Sequence, residues 1–399
     1  MKMTTNNIPQ GYKDSPLGII PEEWEIKKLG EVCTFIKSGK NKEKSNEGLF
    51  HVFGSTGIIG FTNKYVYNCP LLLIARVGAN AGFIYYINEK CDVSDNTLIL
   101  RLNSSYDFIF AYNQLKQYNL NRLIFGSGQP LITASLLKNI KISFPPLPEQ
   151  QKIAEVLSTW DKAIEKQSQL IEKLELRKKG LMQQLLTGKK RLPGFNIPWK
   201  KIKLGEMGNT YNGLSGKNKD DFEQGNAKFI PYINVFSNEK IDVNNLQCVK
   251  INPEDQQNMV KYGDIFFTVS SETPDEVGMA SVLLEHLDNT YLNSFCFGYR
   301  LKDFSTLSPF FAAYLFRTEH FRHYMNILAQ GSTRFNLSKK EVMKLKISLP
   351  NIDEQTAIVN ILNSTNHEIN LTNQKLKELH HQRFGLMQQL LTGKRRIKY

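Results

Sequence analysis

Apolar residues recur along two stretches of the chain at alternating steps of four and three. Beginning at Ile153, the steps reach Leu157, Trp160, Ile164, Gln167, Ile171, Leu174, Lys178, Leu181 and Leu185, and eight of these ten are apolar. The same register from Ile358 gives Leu362, Thr365, Ile369, Thr372, Leu376, Leu379, Arg383, Leu386 and Leu390. A repeat averaging about 3.5 residues is the seam of a coiled coil, narrower than the face of a helix lying on a globular core. The pattern predicts two long helices that pack on each other. Polar residues interrupt both seams at equivalent slots, Gln167 with Thr372 and Lys178 with Arg383. Pro145, Pro146, Pro148 and Pro350 mark the helix starts, and Gly188 and Gly393 mark the ends. A helix over 149–187 would be a rod of roughly 58 Å.

Between these rods the pattern changes. "LLLIARVG", "NTLILRL", "DIFFTVSS" and "CFGYRL" are short apolar runs bounded by turn residues, which reads as buried strands. "SPFFAAYLFRTEHFRHYMNIL", from Ser308, predicts one helix with a Ser N-cap and Pro309 in its first turn. "YDFIFAYNQLKQY" is its shorter counterpart in the first half. The expected fold class is therefore α+β, with two mixed domains and two long helices. The aromatic stripe Phe310, Phe311, Tyr314 and Phe321 is expected in the core.

The two halves are related. "GLMQQLLTGK" at Gly180 returns unchanged at Gly385, 205 residues later, and Arg191 matches Arg396. At the same offset "IKISFPPLPEQ" falls on "LKISLPNIDEQ", so Glu149 and Gln150 meet Glu354 and Gln355. "WEIKKLGE" from Trp24 echoes "WKKIKLGE" from Trp199 at a different offset. A common lead-in, a variable middle and a common exit make a two-fold internal repeat whose period is a whole domain. The boundaries read as 1–148, 149–191, 192–350 and 351–399. A seam constrains only its own positions, yet Met182, Gln183, Gln184 and Thr187 lie off it and recur as Met387, Gln388, Gln389 and Thr392. Identical outward residues suggest two identical partners docking on one pseudo-symmetric chain. Helices that merely join two domains are the alternative.

Composition adds a direction. A formal net charge of +13 and pI near 9.3 favour a polyanionic partner, since each phosphate contact releases counterions. The five cysteines never form a C-x-x-C pair, which suits a reducing cytosol. The polar "MKMTTNNIPQ" lacks signal-peptide character and no apolar run could span a bilayer, so a cytoplasmic protein is expected.

Catalytic motifs do not emerge. "FPPL" lacks the Asn or Asp that an amino-methyltransferase needs before its prolines. "GLSGKN" lacks the first glycine and the Ser or Thr of a P-loop, and no H-E-x-x-H pattern occurs. No catalytic residue, metal ligand or cofactor is expected. Loops suited to nucleic acid do emerge. "GSGQPLIT" (126–133) aligns with "GSTRFNLS" (331–338), offering Ser127, Gln129 and Thr133 in one half and Ser332 and Arg334 in the other. Gln129 could bridge adenine N6/N7, and Arg334 guanine O6/N7. "IKSGKNKEK" and "YNGLSGKNKD" share an S-G-K-N core. Lys37, Lys40, Lys217 and Lys219 fit phosphate positioning better than base reading, and Ser38 and Ser215 beside them are further DNA-binding candidates. Arg76, Asn80, Ser270 and Ser271 are weaker candidates.

Taken together, "YKDSPLGIIPEEWEIKKLGE", "PPLPEQQKIAEVL" and "LMQQLLTGKKR" resemble the specificity subunits of type I restriction–modification systems over essentially the whole chain. The second helix departs with "PNIDEQ" for "PPLPEQ". The resemblance implies two target-recognition domains, each reading half of a bipartite, asymmetric double-stranded DNA site, with the antiparallel helices setting the spacing. It implies two methyltransferase subunits as partners, restriction-translocase subunits in the full enzyme, and no chemistry in this chain. Competing readings are a coiled-coil scaffold without a DNA role, the specificity subunit of a methylation-only system, and a nuclease or methyltransferase with an unrecognised site.

Overall fold

The computed structural model describes residues 8–42, 45–124, 131–222 and 224–398. The chain divides into two units, Met1–Gln169 with Gln374–Tyr399, and Leu170–Asn373. Each unit thus contains one half of each long helix.

In the first unit, Leu71–Ala75 is a central strand with no exposed residue, because an uninterrupted Leu-Leu-Leu-Ile run has no polar face to turn to water. It lies between Thr97–Leu102 and Ile84–Ile87, and Cys33–Ser38 closes the other edge of this antiparallel sheet. Period-two alternation divides the strand residues between two cores. Leu72, Ile74, Leu98 and Leu100 pack with the helix Phe108–Tyr118 and the start of the first long helix. Leu71, Leu73 and Ile99 face Phe53, Cys91 and Val93 of a second, three-stranded sheet. Glu25–Lys28 pairs with Lys141–Phe144, which leads into the first long helix.

The second unit repeats this topology. Gly208–Asn212, Cys296–Leu301, Ile265–Thr268 and Ala280–Val282 form the four-stranded sheet in the corresponding order. Ile265 and Phe267 face the helical core and Phe266 the opposite one. Lys200–Lys203 pairs with Lys346–Leu349 ahead of the second long helix.

The long helices are Leu147–Leu185 and Ile352–Leu390, 39 residues each. Every residue of both expected seams is buried or half-buried. The helices pack antiparallel, as each unit separately shows. In the first, Glu149 and Asp161 meet Arg396 and Arg383; in the second, Arg177 and Arg191 meet Glu368 and Glu354. The cations at the seam slots have partners: Arg383 donates through Nη2 to Asp161 (2.9 Å) and Asn113 (3.0 Å), and Lys178 bonds Glu239 (3.2 Å). Thr372 is buried and returns its hydroxyl to the Glu368 carbonyl (2.6 Å).

The segment from Ser308 corrects the sequence reading. It forms two helices, Pro309–Leu315 and Glu319–Leu328. Thr318 starts the second, its hydroxyl accepting from the Phe321 N–H (3.2 Å), while Arg317 turns aside to the carbonyls of Val235 (2.7 Å) and Asn238 (2.6 Å). A local cap and a half-buried cation with backbone acceptors outweigh helix continuity here. Phe311, Tyr314 and Phe321 are core, whereas Phe310 is 41% exposed.

Candidate functional site

Both long helices open with Glu-Gln, and both residues are buried. Glu149 accepts from the Trp24 indole (3.2 Å) and from Arg396 through Nε (2.7 Å) and Nη2 (3.0 Å). Glu354 accepts from the Trp199 indole (3.2 Å) and from Arg191 through Nε (2.6 Å) and Nη2 (2.8 Å). A buried carboxylate is stable only when charge-paired and hydrogen-bonded, and the fork of an arginine does both. The bonds that Arg396 donates to Glu149, joined by one to Glu23, push its pKa further above the ordinary arginine value. The neighbouring amides also match. Gln150 accepts from the Asp107 N–H (2.9 Å) and Gln355 from the Ser308 N–H (2.9 Å), each at the start of a domain helix. Their NH2 groups donate to Pro145 (2.8 Å) and Pro350 (3.0 Å) carbonyls. In each unit the start of one long helix is thereby locked to the segment after the other.

These locks correct part of the docking argument, because several residues of the repeated string have work inside the chain. Arg191 and Arg396 close the locks. Gly188 and Gly393 adopt left-handed conformations, φ 70° and 72°. Met387 is buried in the first unit's core and Met182 is half-buried against the second's, since the domain packs on the helix flank beside the seam. Thr187 and Thr392 return their hydroxyls to the Gln183 (2.5 Å) and Gln388 (2.6 Å) carbonyls, and Gln183 donates to Glu319 (2.8 Å). Gln184, Gln388 and Gln389 remain exposed, with no side-chain partner among the described residues.

In the first unit, Lys37 is exposed above Phe35 (4.5 Å) and Tyr67 (5.3 Å). Ser38 is half-buried. Lys40 lines a cleft with Lys42, Asn63, Lys64 and Tyr67. Lys64 carried no motif in the sequence; the hairpin pairing Phe50–Gly54 with Gly57–Thr62 brings it there. Arg76 and Asn80 are half-buried, and Arg76 Nε is shielded without a protein partner among the described residues. Thr133 is a helix N-cap, accepting from the Leu136 N–H (3.3 Å). Ser127 and Gln129 lie outside the described residues.

In the second unit the S-G-K-N lysine behaves differently. The Lys217 side chain is 5% exposed and ion-paired with Asp255, so it is not available to phosphate as the sequence suggested. Ser215 is exposed, its backbone clasped by the Gln257 amide (3.1 and 2.8 Å), and Lys219 is exposed on a short 3-10 turn. Ser270, Ser271 and Arg334 converge on one cleft with Tyr232, Phe236, Glu272 and Phe295. Ser270 pairs with Asn336 and Ser271 with Phe335, which carries Arg334 to the cleft from the adjoining hairpin, whose turn also holds exposed Ser332. Among the described residues, no cluster of His, Cys, Asp or Glu could hold a metal, and no helix is long and apolar enough to cross a membrane.

The family described as type I restriction modification DNA specificity domain matches the chain twice, at residues 21–176 and 196–381. The type I restriction enzyme MjaVIII specificity subunit of Methanocaldococcus jannaschii is 26% identical, with 95% of this chain and 94% of that one covered. The EcoprrI specificity subunit of Escherichia coli is 24% identical over 38% of this chain and 39% of its own. Among solved structures, the type I system S subunit from M. genitalium superposes with TM-score 0.56 at 19% identity, over 92% and 96% of the two chains. A chain from a study of assembly and conformational transition of the type I R-M system gives 0.61 at 18%, over 94% and 99%. The matched domain occurs once in each half and spans most of the sequence, and the chain belongs to the type I restriction modification DNA specificity family.

Proposed function

We propose that this specificity subunit reads a bipartite, asymmetric double-stranded DNA site, residues 12–148 taking one half and 192–350 the other. The long helices set the spacing between the halves. Two methyltransferase subunits dock on the repeated strings, through Gln184 with its neighbours and Gln389 with its neighbours, and restriction-translocase subunits complete the enzyme. The chain itself carries no methyl transfer or cleavage. The observation that carries the reading is one scaffold built twice with unlike exposed loops. The Trp–Glu–Arg locks and sheet order recur, while Lys40 lines an open cleft in one unit and its counterpart Lys217 is withdrawn onto Asp255 in the other. A net charge of +13 supports a duplex partner.

The form of the methylated motif tests this. Sequencing methylated positions in a host carrying the complete system is expected to give two short defined elements separated by a fixed undefined gap. A continuous or palindromic motif would overturn the reading.

A further inference from the structure

The cleft bearing Arg334 also holds a carboxylate that the sequence motifs left unassigned. Glu272 and Arg334 are both exposed, and neither side chain makes a hydrogen bond or ion pair among the described residues. The other carboxylate, Glu276, is engaged by the Ser271 hydroxyl (2.7 Å). Apolar surface flanks them: Phe295 is 57% and Ile233 54% exposed, and neither joins the core. Phe295 is fixed, its carbonyl accepting from the Val269 N–H (2.9 Å) and its own N–H donating to Asn293 (2.8 Å). The backbone turn that carries Arg334 is tightly closed. Gly331 has φ 144° and an added Cβ would meet the Arg334 carbonyl oxygen at 2.1 Å, so the turn closes only on glycine. The Ser270 hydroxyl is buried there without a partner among the described residues.

A free carboxylate repels phosphate, so this cleft is ill suited to the DNA backbone. One guanidinium beside one carboxylate instead matches a single base pair: guanine offers O6 and N7 as acceptors, and cytosine offers its N4 amino group as donor. We infer that Arg334 and Glu272 together read one G·C pair in the half-site assigned to residues 192–350, Arg334 taking guanine and Glu272 accepting from cytosine. The inference rests on the division of the site proposed above. Methyltransferase complexes containing Arg334→Ala, Arg334→Lys or Glu272→Gln are compared by methylome sequencing in the host. All three are expected to relax the same single base pair, by roughly five- to hundredfold in discrimination, and to leave the other half-site intact. Exposed positions should leave the melting temperature unchanged, and the Lys and Gln variants keep the fold testable if Ala does not. If exchanging residues 192–350 changes one half-site but these variants keep the original motif, or relax different positions, the inference falls alone. If that exchange changes neither half, the inference falls with the division of the site.

Discussion

Arg396 and Glu149 are 247 residues apart in the sequence, yet Arg396 donates two hydrogen bonds to the Glu149 carboxylate, of 2.7 and 3.0 Å. Arg191 and Glu354 repeat the arrangement at 2.6 and 2.8 Å. The end of one copy's repeated string is therefore locked onto the start of the other copy's long helix.

Removing the cation leaves a fully buried carboxylate without its counter-ion. Arg396→Ala is expected to destabilise the chain by about 3–5 kcal/mol. Trp24→Phe, which deletes one neutral donor and keeps the arginine, should cost about 1–2 kcal/mol. Denaturant unfolding of both variants checks the order. Equal effects would show that the ion pair does not dominate.

The two exit glycines are expected to differ. Both need the left-handed region, where a side chain costs about 1–2 kcal/mol. A Cβ on Gly393 would also meet Pro21 at 2.4 Å, whereas on Gly188 the nearest contact is the Trp199 ring at 3.4 Å. Gly393→Ala should therefore lose about 1–3 kcal/mol more than Gly188→Ala, measured by thermal unfolding.

These contacts show what the pattern of residues could and could not reveal. The seams were legible because periodicity is local: every residue from Ile153 to Leu185 at the four-three steps turned inward. So were the buried strands Leu71–Ala75 and Ile265–Thr268, whose apolar runs leave no alternative face. The break at Arg317 was hidden, because it depends on carbonyls from Val235 and Asn238 some eighty residues away. Lys40 and Lys217 looked alike in their shared S-G-K-N context, and only the fold brings Asp255 to one of them. The repeated string mixed two kinds of constraint that sequence identity alone cannot separate, internal locks and outward glutamines.

Lys40 and Lys217 should accordingly part company. Lys40→Ala and Lys64→Ala are expected to weaken DNA binding by the assembled complex to all sequences and reduce the salt slope by about 0.9 each. Lys217→Met should leave that slope unchanged. Its effect belongs to acid stability: the hydrogen bond from Lys217, then that from the Asn252 N–H, hold the Asp255 carboxyl below the usual range. A pKa lowered by folding stabilises above the unfolded value, and the gain is lost as pH falls through the folded one. Below about pH 4 the variant should show a shallower loss of stability than the parent. Anisotropy titrations over salt and unfolding over pH measure the two effects.

Gln184 and Gln389 recur, face outward and have no side-chain partner among the described residues. Gln184→Ala and Gln389→Ala should leave the melting temperature unchanged while weakening methyltransferase-subunit binding by roughly tenfold per site. Calorimetric titration of the chain with that subunit decides it. Unchanged affinity in the double variant would remove the strings from the docking surface.

The division of the DNA site is tested most directly by exchange. A chimera carrying a foreign 192–350 segment between the native long helices is assembled with the native methyltransferase subunits, and the methylome of its host is sequenced. One half of the motif is expected to change to the donor's sequence, with the other half and the gap preserved. A motif in which both halves change together, or neither does, would contradict the account.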